Sequence, residues 1–166
     1  MAEAKISSRM AVSTMLEQWR QQRPELPILE AGLVGVLLRV GKRLEQIGLE
    51  SLKPFQLGWS EHDLLAALRR RGPPYAATPG ELLDELFITS GALTACTNRL
   101  IDRGLVFRAK SKKDSRSRII ALTKDGFHFI DKVTTERFQL CEELMSVYSK
   151  EDKSKLFDLA EQFLKS

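Results

Sequence analysis

The side chains in this sequence best suited to chemistry are cations. Between Arg99 and Arg118 stand eight Lys or Arg and only two Asp. The run KSKKDSRSR, Lys110 to Arg118, holds no apolar residue and is excluded from any core. Just upstream, Thr89, Ser90, Gly91 and Thr94 set short polar side chains around a predicted helix start. Unpaired amides and the helix dipole attract an anion there. Thr94, Asn98 and Arg99 carry the groups that read base edges, Asn suiting adenine and Arg guanine. Lys112, Lys113 and Arg99 suit phosphate contacts, which supply affinity without sequence information. Arg116 and Arg118 lie in a basic hairpin, a shape and charge that fit a minor groove. The chemistry implied is the binding of double-stranded DNA. The competing reading is a solvated helix and a charged surface hairpin; the local concentration of charge favours DNA.

Other chemistry has little to work with. The two histidines, His62 and His128, fall on separate predicted helices and in no recognisable motif. Together with Cys96 and Cys141 they are too few and too scattered for a zinc site. No nucleophile–base pair or carboxylate pair is evident, so the expectation is a non-enzyme with no metal and no cofactor. Cys96 opens a redox alternative, because Arg99 one turn on would lower its thiol pKa. A winged-helix module for protein contacts is a further alternative, against which the basic hairpin argues.

The chain has 166 residues, a net charge of +4, and 43% hydrophobic against 29% charged residues. That predicts one domain with enough apolar content for a core. Two cysteines far apart do not make a disulfide framework. The N-terminus MAEAKISSRM lacks the apolar core of a signal peptide, and no run is long enough to span a bilayer. The expected location is the cytoplasm.

The elements that must hold the cations follow from periodicity. Val12, Met15, Leu16 and Trp19 predict an amphipathic helix from Ser8 to Gln22, with Thr14 and Glu17 as a capping box. Pro27 opens the next helix. There Leu33, Leu37, Val40, Leu44 and Ile47 form a heptad seam, to be packed within the chain or against a second copy. Ser60 is predicted to cap a helix with Asp63 at its third position, ended by Gly72-Pro73-Pro74. Tyr75 to Ala77 reads as a short strand. Thr78 and Glu81 form a capping box around Pro79, for a helix to Leu86. Ser90 is predicted to cap the next helix, which buries Leu93, Thr97, Leu100 and Ile101 and ends at Gly104. Val106 to Ala109 and Ile119 to Leu122 are the hairpin strands. Thr123 caps a long helix, and Ser149 with Asp152 begins the last. Two helices joined by a short turn, the second polar and basic, make a helix-turn-helix.

This order resembles the multiple-antibiotic-resistance regulator (MarR) family over nearly the whole chain. The resemblance is carried by Thr78 to Leu82 (TPGEL), Thr89 to Thr94 (TSGALT), Asp102 to Val106 (DRGLV) and Asp114 to Arg118 (DSRSR) running on to Ala121-Leu122-Thr123. It implies a mainly α fold with a small β wing, one domain over 1–166. Within it, 59–123 would form a winged helix-turn-helix lobe, and 8–58 with 124–166 a helical dimerisation core. It implies a cytoplasmic homodimer on a palindromic operator, acting as a repressor released by a small molecule. The helix from Ser90 would enter the major groove and Arg116 the minor groove, with Asp114 orienting the wing.

The extra N-terminal helix, with Gln18-Trp19-Arg20 and Arg23 to Leu26 (RPEL), is similar to the urate-responsive branch of that family. Trp19, Asp63 and Arg108 match that branch by position and imply an aromatic or anionic effector. Cys96 stands where the branch has an Arg, a departure that removes one cationic partner for urate.

Overall fold

The computed structural model describes residues 2–110 and 118–165. In chain order it holds α1 (Ala2–Gln22), α2 (Ile28–Leu52), a single 3-10 turn (Lys53–Phe55), α3 (Trp59–Arg70) and β1 (Ala76–Ala77). There follow α4 (Pro79–Leu86), α5 (Ser90–Asp102), β2 (Val106–Lys110), β3 (Arg118–Leu122), α6 (Lys124–Met145) and α7 (Lys150–Lys165). The fold is mainly helical with a small antiparallel sheet of strand order β1-β3-β2.

The chain divides into two compact units, Met1–Glu50 and Ser51–Ser166. The first holds α1 and nearly all of α2. α1 begins earlier than expected and runs unbroken through Thr14 and Glu17, so these are helix interior and not a capping box. Gly32 marks where the helices of this unit touch, since a Cβ there would sit 2.6 Å from Leu16 Cδ1. Gly48 stays inside α2, whose first residue follows Pro27.

The second unit is built around α3. Leu64, Leu65, Ala67 and Leu68 are fully buried, and α3 packs against α4, α5, α6 and the sheet. Leu82, Leu100, Val106, Ile130 and Val133 complete that core. The core therefore takes in the start of α6. The α3 cap is Gly58 and not Ser60: Glu61 at the third position accepts the Gly58 N–H at 2.8 Å. Thr78 and Glu81 form the expected reciprocal cap of α4. Thr123 caps α6, accepting from Gly126 N at 2.8 Å. Ser149 and Asp152 bond to each other ahead of α7.

The cations at the end of α3 brace the unit. Arg69 binds Asp131 of α6 at 2.6 Å and lies over the Phe127 ring, 4.4 Å from its centroid. Arg70 and Arg71 both reach Glu85 of α4. α4, the first helix of the helix-turn-helix, is thus held to α3 by charge as well as by packing.

Candidate nucleic-acid interface

The turn into α5 runs Phe87-Ile88-Thr89. The cap is Thr89, whose hydroxyl accepts the Ala92 N–H at 3.2 Å, while Ser90 is the first helical residue. That corrects the expectation for Ser90 and leaves both at the exposed helix start. Leu93, Cys96, Thr97 and Leu100 are buried behind α5, and Gly91, Thr94, Ala95 and Asn98 form its exposed stripe. A Cβ on Gly91 would meet nothing of this chain within 4 Å, so the chain's own packing does not call for glycine. Close approach of another body gives its bare backbone a use. The Thr94 hydroxyl donates to Ser90 O at 2.9 Å, which leaves its lone pairs and methyl for a partner. The Asn98 carbonyl Oδ1 accepts from Arg108 Nη2 at 2.8 Å.

Arg99 is ion-paired within the chain. It lies on the flank of α5, and its Nε donates to Glu61 Oε1 at 2.6 Å. Glu61 is itself 8% exposed. Burial pushes the Glu61 carboxyl up, but the Gly58 N–H and the Arg99 guanidinium outweigh it and hold the group below the ordinary carboxylate range. The same bond raises Arg99 above its usual value. Arg103 turns to the chain as well, donating to Phe55 O and Gln56 O. Two of the cluster's cations are thus engaged beside α3.

β2 supplies replacements. Strand alternation puts Val106, Arg108 and Lys110 on one face, and buried Val106 identifies it as the face toward the core and α5. Lys110 stands directly opposite Arg118 of β3, both exposed. Like charges set opposite each other repel unless an anion lies between them. Sequence reading passed over Lys110 and Glu61. Counting by twos from Val106 would have found Lys110; nothing local marks Glu61. Lys112, Lys113, Asp114 and Arg116 lie outside the described residues.

The effector and redox candidates separate by unit and by burial. Trp19 is in the first unit, 50% exposed on α1. Asp63 is in the second and meets His62 Nδ1 at 3.0 Å. Arg108, bonded to Asn98, lies beside the exposed stripe of α5. Cys96 is fully buried with its Sγ against Ser60 O. Burial, and next the Glu61 charge, push its thiol up to about 11. Arg99 was expected to activate it, but the opposing effect of Arg99 is the smaller one. Among the described residues no group of His, Cys, Asp or Glu is placed to hold a metal ion.

Comparison with known proteins agrees with this layout. Residues 55–117 match the model of the MarR family. The chain is 34% identical over 147 residues to the HTH-type transcriptional regulator PecS of Dickeya dadantii (strain 3937), covering 89% of each. Among solved structures, AbsC, a MarR family transcriptional regulator from Streptomyces coelicolor, superposes with a TM-score of 0.73 at 20% identity, over 85% of this chain and 98% of that one. A mutant of MarR from E. coli complexed with operator DNA gives 0.68 at 23% identity, over 88% and 97%.

Proposed function

This chain belongs to the MarR family of DNA-binding transcriptional regulators, and we propose that it works as a homodimeric repressor on a palindromic operator. The observation that carries the reading is the exposed stripe Gly91, Thr94, Ala95 and Asn98, with Arg108 held on Asn98 and the cations Lys110 and Arg118 on β2 and β3. A small-residue helix face beside a cationic strand pair fits a major groove and its phosphates. Lys112, Lys113 and Arg116 are proposed to extend those contacts, on their sequence alone. Two copies would place their α5 helices in half-sites about one helical turn apart.

The proposed effector is a small aromatic or anionic molecule. It releases DNA only if it prefers a conformation in which the two reading helices no longer match the groove spacing. Trp19 and Asp63 are each tested by whether the alanine variant keeps operator binding and loses release. The proposed site of action is the cytoplasm, with the DNA.

The test begins with the duplex fragments that the purified protein retains from genomic DNA. Their affinity is expected to fall by about a thousandfold or more between 50 and 200 mM salt, the scale for several neutralised phosphates. Arg116→Ala is expected to cost about 1–3 kcal/mol, one lost groove contact. Absence of binding at low salt would refute the reading.

A further inference from the structure

We propose that Arg108 fixes the Asn98 amide so that Asn98 faces the groove as a hydrogen-bond donor, and that it thereby selects a base with a keto oxygen. The inference rests on α5 being the DNA-reading helix and deepens that reading.

Arg108 Nη2 stands 2.8 Å from Asn98 Oδ1. A guanidinium has donors only, so the amide atom it faces must be the carbonyl oxygen. The orientation of an Asn side chain is ordinarily a choice between two near-identical shapes, and here the partner's chemistry makes that choice. Both residues sit within regular secondary structure. Asn98 follows buried Cys96 and Thr97 on α5. Arg108 is the middle residue of β2, paired across the hairpin with Ile120 of β3.

The consequence is a change of reading code. An unassisted Asn reads adenine in two ways at once, accepting from N6 and donating to N7. In this protein the accepting half is engaged by a cation, and the donating Nδ2 remains. The positive charge alongside disfavours a base edge that presents its own donor. Guanine offers O6 and N7 and thymine offers O4, with no donor among them, whereas adenine sets its N6 donor beside N7 and cytosine presents its N4 donor. The base opposite Asn98 is therefore guanine or thymine. Arg108 becomes a specificity-determining residue from a neighbouring strand.

The experiment selects full-length protein on a pool of random-sequence duplexes at fixed salt. The wild type is expected to enrich a keto base over adenine by roughly tenfold at one position of each half-site. Asn98→Ala should erase the preference at that position, which identifies it. Arg108→Met, similar in length but without donors, should move the same position toward adenine and leave the others unchanged. The proposal is overturned if the position lost in Asn98→Ala already prefers adenine in the wild type. It is equally overturned if Asn98→Ala changes no position, or if Arg108→Met weakens all sequences alike, the mark of a phosphate contact. A wild type that retains no duplex would instead sink the reading of α5, and this inference with it.

Discussion

A thiol pushed up to about 11 is almost wholly protonated at neutral pH, and only the thiolate is nucleophilic. Cys96 is also fully buried, whereas Cys141 is exposed on α6. Iodoacetamide at pH 8 is therefore expected to label Cys141 in the native protein and to reach Cys96 only after denaturant is added. Peptide mass mapping reads the outcome, and equal native labelling would revive the redox alternative. Glu61 is the other residue whose surroundings set its chemistry. Its carboxyl titrates below the ordinary range when folded. Its contribution to stability is thus complete above the unfolded pKa and is lost as pH falls through the folded one. Glu61→Gln should lower the unfolding free energy read from a urea titration at pH 7 by about 1 kcal/mol, as the Gly58 cap weakens. Wild type and variant should converge as the pH falls through the lowered folded pKa of Glu61; a gap independent of pH would place the effect elsewhere. Residue types alone singled out Asn98, Arg99 and Arg118 but gave no sign of the ion pair that Arg99 makes. Its partner Glu61 lies 38 positions away, and spacing along a chain says nothing about such a pair.

At the scale of elements, the joint between the start of β2 and α6 leaves no room for a side chain at Gly126. A Cβ on Gly126 would come within 1.9 Å of Leu105 O, a backbone atom that no rotamer change relieves. The same carbonyl accepts from Thr123 N at 3.1 Å, and the Thr123 hydroxyl donates to Gly104 O at 2.7 Å. Gly126→Ala must move α6 away from that joint and is expected to cost about 1–3 kcal/mol in a denaturant titration. Gly91→Ala, where a Cβ meets open space, should leave the fold intact and serves as the control. Elements of this kind were largely legible in the sequence. The Thr78–Glu81 box, the Thr123 cap and the alternating strands each depend on neighbours a few residues apart. The helix starts at Gly58 and Thr89 were misplaced onto Ser60 and Ser90 for a physical reason. Adjacent small polar residues have nearly the same capping power, and which one caps is decided by how the preceding chain approaches the helix. The early part of α1 escaped because its sequence has little apolar rhythm before Val12.

For the whole molecule, the question is what covers its apolar faces. In α2 the seam residues Leu33, Leu37, Val40 and Leu44 are exposed, and Leu29 is 80% so. α7 buries none of its residues, though Leu156, Phe157, Leu159, Phe163 and Leu164 all lie on it. A helix of this length is marginal in water unless its apolar face is covered. Clusters of exposed leucine and phenylalanine on that scale are rare on monomers and mark an association surface. A second copy of the chain supplies matching faces by symmetry, and a two-fold pair is the arrangement a palindromic site requires. The purified protein is therefore expected to sediment at twice the 18.8 kDa of one chain at micromolar concentration. Burying one leucine or phenylalanine contributes about 1.5–3 kcal/mol, and a two-fold interface uses each residue twice. Leu159→Asp or Phe163→Asp should accordingly shift the protein to monomer and weaken operator binding sharply. The core of the second unit, with Leu64, Leu68 and Ile130 fully buried, should keep its cooperative unfolding in both variants. Wild-type protein that sediments as a monomer yet binds its operator tightly would contradict the two-fold arrangement. Aspartate variants that remain dimeric would place the interface away from α7.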